Sequence, residues 1–147
     1  MYRDAEKKLR AHGVRPTRVR RELIRLLQSA DFALSHADIE RYIGADYDRV
    51  TIYRTLSTFD EFGLIHKIMD ENGFAKYAMC SHDECQPGFH KDDHLHFTCT
   101  ECEQTYCLPH TRISNLDVPD GFEIQNFILK AEGKCKTCTE FHQINTA

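Results

Sequence analysis

Between residues 17 and 28, apolar side chains fall at Val19, Leu23, Leu26 and Leu27, the spacing that lines one face of a helix. Thr17 stands where a side-chain oxygen can cap the helix start, and Pro16 keeps the preceding residues out of it. The same grammar recurs twice. Ser35-His36-Ala37-Asp38 has the form of a capping box that opens a short helix running to about Ile43 and ending at Gly44. Asp48 can cap a third helix in which Ile52, Leu56 and Phe59 share one face, with Gly63 placed to close it. The period then changes from helical to alternating. Segments 64–69 and 74–79 predict two strands, joined by Asp70-Glu71-Asn72-Gly73, whose Asn-Gly is a hairpin signal.

Three helices followed by a β-hairpin predict a winged helix-turn-helix, whose last helix is offered to the DNA major groove. On that helix Arg49, Thr51, Tyr53 and Arg54 project partly away from the apolar face, and Tyr53 and Arg54 are placed to reach base edges and phosphates. Taken singly, each is also ordinary helix surface. Beyond Met79 a polar, Pro- and Gly-containing loop marks a boundary. The pattern that follows predicts strands over 94–97, 105–108 and 122–129 and a short helix over 111–116. The expected fold is therefore α+β, with a winged-helix domain (1–80), a hinge loop (81–93) and a small α/β domain (94–147).

Cysteine placement changes the picture most. Cys99-Thr100-Glu101-Cys102 and Cys135-Lys136-Thr137-Cys138 are two C-x-x-C clips, and four thiolates are what a closed tetrahedral zinc site requires. The 32 residues between the clips exceed the usual zinc-ribbon spacing, which implies strands and a helix between them. The charged start of the chain has no secretory pattern, and no apolar run approaches a membrane span, so a cytoplasmic location is expected. In that reducing compartment seven cysteines read better as metal ligands plus spares than as disulfides.

The net charge of −4 is unevenly spread. Residues 1–25 carry nine Lys or Arg, Arg18 and Arg20 among them, against Asp4, Glu6 and Glu22, whereas 81–147 carry five basic and eleven acidic side chains. A basic start can contact phosphates while an acidic second half binds cations.

Gly-Val-Arg-Pro-Thr-Arg-Val-Arg (13–20), Val-Thr-Ile-Tyr-Arg-Thr-Leu (50–56) and His-Leu-His-Phe-Thr-Cys-Thr-Glu-Cys (94–102) resemble, in order and spacing, the ferric uptake regulator family of metal-sensing repressors. The resemblance implies a homodimer held by the second domain, metal-dependent binding to palindromic double-stranded operators, and a DNA-reaching basic residue at Arg15. Where iron-sensing members carry a histidine before the second helix and a glutamate on the second wing strand, this chain has Ala33 and Ala78. Cys80 instead resembles the sensory cysteine of zinc uptake regulators, and His66 falls where that branch has an aspartate or histidine.

Chemistry supports the same set. His94 and His96, two apart on a strand, can turn two imidazoles to one ion, and with His66 and Cys80 they make a donor set that suits Zn²⁺ better than iron or manganese. The expected cofactors are a structural zinc on the four clip cysteines and a second, regulatory metal, most readily zinc, on His66, Cys80, His94 and His96. His82, His90 and Cys107 are possible additional ligands, although a solvated polar loop explains the two histidines better and a small buried strand side chain explains Cys107 equally well. Rival readings are an iron, manganese or peroxide sensor of the same family, a zinc hydrolase, and a zinc-stapled interaction module. No H-E-x-x-H motif is present to support the hydrolase, so neither an enzyme nor a small-molecule substrate is expected.

Overall fold

The computed structural model describes residues 2–70, 72–79, 94–112, 117–125 and 128–145, without the side chains of residues 2, 94, 109, 110, 112, 142 and 145. The chain divides into two compact units, Met1–His90 and Lys91–Ala147. The first contains α1 (Tyr2–Ala11), α2 (Arg18–Ser29), β1 (Leu34–Ser35), α3 (His36–Ile43), α4 (Arg49–Glu61), β2 (Ile65–Met69) and β3 (Ala75–Met79). Its strands form an antiparallel sheet in the order β1-β3-β2. This is the winged helix expected from the sequence, with one helix more than the pattern disclosed.

Local chemistry sets the helix boundaries. Thr17 accepts a hydrogen bond from the backbone N–H of Arg20, and Ser35 and Asp38 form a reciprocal capping box. The carboxylate of Asp48 accepts from the N–H of Thr51 at 2.6 Å, which holds its pKa below the usual carboxylate range. At the far end of α4, Gly63 adopts φ +74° and the Leu64 N–H reaches the Phe59 carbonyl at 2.8 Å. In the wing, Asp70 accepts from the N–H groups of Asn72 and Phe74, which closes the hairpin so that His66 pairs with Ala78 and Lys67 with Tyr77.

The core gathers one face of every helix. Ala5 and Leu9 of α1, Leu23, Ile24 and Leu27 of α2, Ile39 of α3, and Ile52, Leu56 and Phe59 of α4 are buried with Leu34, Ile65 and Tyr77 from the sheet. Phe59 is wholly buried. Phe59→Ala is therefore expected to destabilise this unit by about 3–5 kcal/mol, whereas Val50→Ala, at an exposed position of the same helix, should change stability by less than about 0.5 kcal/mol. Denaturant titration of the two variants checks the contrast.

The second unit is a three-stranded sheet of order β5-β4-β6 followed by a helix: β4 (His94–Cys99), β5 (Thr105–Arg112), β6 (Lys130–Gly133) and α5 (Lys136–Asn145). β4 is central, antiparallel to β5 and parallel to β6, and its ladder with β5 shifts register between His94 and Leu95. Two expectations are corrected. β5 continues to Arg112, because Arg112 pairs with His94, so 111–112 are strand and not the start of a helix. The third strand is the polar run Lys130–Gly133 and, among the described residues, not 122–125 or 128–129, since the free edge of β4 is filled by 130–133 in register with His96 to Cys99. Strands lie between the two clips as expected; the remainder of the expected helix, 113–116, lies outside the described residues, and α5 follows the second clip.

Candidate functional site

The two clips meet at one end of the central strand. Cys99 ends β4, and the tight turn after it, with the Cys99 N–H donating to the Gln104 carbonyl and Glu103 at φ +60°, places Cys102 beside it. Gly133 ends β6, where its carbonyl accepts from the Thr100 N–H and hydroxyl, so that Cys135 enters the cluster as α5 begins. One ligand atom from each of Cys99, Cys102, Cys135 and Cys138 lies within 4.8 Å of the others. The sulfurs of Cys102 and Cys135 are 3.8 Å apart, too far for a disulfide, and a Zn–S bond of about 2.3 Å gives a tetrahedral edge of about 3.8 Å.

The electrostatics of the cluster also fit a cation. Backbone N–H groups of Cys102 and Cys135 hold the Cys99 thiol down to about 6, the latter donating at 3.3 Å, and the N–H of Cys138 lowers Cys135 likewise. Cys138 is pushed up to about 12, first by its contact with Cys135. Four sulfurs this close cannot all ionise unaided, and a divalent soft ion lets all four serve as thiolates. The residues present therefore fit a structural zinc, with Gln104 accepting from the Tyr106 hydroxyl at 3.1 Å beside the cluster.

The predicted sensory ligands are distributed between the units. His66 is on β2 and His96 on β4, both buried at 2% and 6% exposure. His94 begins β4, but its side chain, together with Cys80, His82 and His90, lies outside the described residues. Cys107 sits directly opposite His96 across the β4–β5 ladder and is half-buried. Ala78 pairs with His66 across the hairpin.

The predicted DNA-contact residues lie on the winged-helix unit. Arg15, Tyr53 and Arg54 are exposed. Arg20 donates to the Arg15 carbonyl at 2.8 Å, and Thr51 is half-buried. Arg18 and Arg49 are each engaged by a carboxylate. The Arg18 guanidinium donates to Glu22 at 3.0 Å and lies 5.9 Å from the ring centre of Tyr47, whose hydroxyl donates to the other Glu22 oxygen at 2.9 Å. Arg49 grips Glu40 through two hydrogen bonds. Sequence reasoning missed Glu22, Glu40 and Tyr47: Glu22 carries a readable i,i+4 spacing from Arg18 on α2, whereas Glu40 and Tyr47 meet their partners across different segments and have no spacing signal.

A winged helix and a four-thiol cluster in one chain define a metal-binding protein built to present a recognition helix. The chain belongs to the ferric uptake regulator family, whose model matches residues 11–131. It is 29% identical over 147 aligned residues to the zinc uptake regulation protein of Escherichia coli (strain K12), covering 92% of this chain and 80% of that protein. It is 27% identical over 138 residues to the ferric uptake regulation protein of Neisseria meningitidis, covering 88% and 90%. Among solved structures, a zinc uptake regulator complexed with zinc and DNA shares the fold at a TM-score of 0.63 and 22% identity, over 97% of this chain and 95% of that one.

Proposed function

We propose that this chain is a zinc-responsive transcriptional repressor that binds palindromic operator DNA as a homodimer and controls zinc uptake genes. The observation that carries it is a winged-helix unit and a four-thiol cluster within one chain of this family. Similarity to zinc and iron regulators is nearly equal, so the sensed ion is assigned by chemistry. One thiolate, Cys80, with the imidazoles of His66, His94 and His96 forms a soft donor set, and alanines at 33 and 78 remove the harder iron-type ligands. Cys107, opposite His96, is a further soft donor on that sheet.

An ion held by His66, Cys80, His94 and His96 would favour the DNA-binding geometry, restraining the dimer's two reading heads to the separation of operator half-sites. Exposed Phe122, Ile124, Ile128, Phe141 and Ile144 supply apolar area that a second copy covers. The test is enrichment from a random duplex pool. Zinc-loaded protein is expected to select a palindrome, and Arg54→Ala to flatten the plot of log K against log salt by about 0.9 for each phosphate it no longer neutralises. Zinc-loaded protein that enriches no sequence defeats the assignment.

A further inference from the structure

The first residue of α4 is an arginine whose charge is already answered. Arg49 donates from Nε to Glu40 Oε1 at 2.8 Å and from Nη2 to Glu40 Oε2 at 3.1 Å, a two-point grip between α3 and α4. The Arg49 side chain is 78% exposed and that of Glu40 26%, so the carboxylate is the anchored partner and the guanidinium the presented one. Glu40 is held below the usual carboxylate range first by that hydrogen bond, and His36 Nδ1 lies 3.7 Å away on the same helix. Two of the five guanidinium N–H donors are used, and three remain, in a plane fixed by the grip.

We infer that Glu40 is a specificity-determining residue: it neutralises Arg49 while fixing the direction of its remaining donors, so that this arginine adds geometry to DNA binding without adding net charge. The inference rests on the proposed regulator function. Sequence-independent DNA affinity comes almost wholly from uncompensated positive charge, whereas operator affinity also draws on correctly aimed hydrogen bonds. An arginine paired in advance therefore withholds affinity from random DNA more than from the operator. A free arginine at the same place would strengthen binding to random DNA, while on the operator its added charge would be offset by the loss of aim.

The experiment uses the zinc-loaded full chain, the duplex it enriches from a random pool, and a scrambled duplex of the same composition. Glu40→Gln is expected to tighten binding to the scrambled duplex at least about threefold and to steepen its salt dependence by about 0.9 per protomer. Operator affinity should change by less than about twofold, so the operator-to-scrambled ratio falls. Arg49→Gln should move scrambled-duplex binding in the opposite direction, because it leaves Glu40 facing phosphate. Opposite signs separate charge compensation from a helix-packing role, which would weaken binding in both variants. An unchanged or higher ratio in Glu40→Gln, or the same sign in both variants, overturns the inference. A wild type that enriches no sequence overturns the regulator function along with it.

Discussion

Cys135→Ser is expected to unfold the second unit and abolish dimerisation, while the winged-helix unit keeps its helices. Cys135 is buried in the cluster and its N–H also donates to Cys99, so the substitution removes one of four ligands at the point where β6 hands over to α5. Among its described residues the unit has little other core. Among its described hydrophobic residues only Cys99 and Cys135 are buried, while Leu108, Phe122, Ile124, Ile128, Phe141 and Ile144 are exposed. Where a metal replaces a core, its binding free energy is folding free energy, and removing a ligand or chelating the ion removes the fold. Circular dichroism with analytical ultracentrifugation reads the outcome: loss of the α5 contribution and a monomer, for the variant and for chelated wild type alike. A folded, dimeric Cys135→Ser protein would show that the cluster is not structural.

The winged helix was legible because its signals are local. Thr17, Ser35 and Asp48 cap helices through bonds to N–H groups three residues on, and Asn72-Gly73 turns a hairpin, so each can be read without knowing the fold. α1 escaped because only Ala5 and Leu9 anchor it, too sparse a stripe to register as periodicity. Its end is locally marked, with Gly13 at φ +75° and the Val14 N–H donating to the Leu9 carbonyl.

The second unit misled for a different reason. Apolar residues at 122, 124 and 128 imitate an alternating strand, yet they are exposed in the single chain, while the actual strand Lys130–Gly133 is polar and exists because β4 has an edge to fill. Partner-dependent surfaces and edge pairing are non-local, and no window of sequence contains them. The clips, by contrast, were legible as a metal site at once, because a two-residue spacing forces two sulfurs toward one point wherever the chain runs.

The variant that separates sensing from folding is Cys80→Ser. If His66, Cys80, His94 and His96 hold the regulatory ion, the substitution should leave the four-thiol cluster loaded and the dimer intact, because Cys99, Cys102, Cys135 and Cys138 already supply the four ligands of a closed site. Titration with buffered free zinc should then give two tight zinc ions per protomer in wild type and one in the variant. Changing residues that only orient ligands costs about 10–100-fold in metal affinity, so loss of a ligand should weaken the second site by at least about a hundredfold. Linkage adds a stricter requirement. If second-site zinc tightens operator binding by some factor, operator must tighten that zinc by the same factor in wild type, and both effects must vanish together in Cys80→Ser. His96→Ala should behave in the same way, since His96 occupies the central strand of the unit opposite Cys107. A second zinc indifferent to both substitutions would move the sensed ion toward iron or manganese. An unfolded Cys80→Ser would make Cys80 structural, and zinc binding that responds to the variant without any change in operator affinity would separate the metal from regulation.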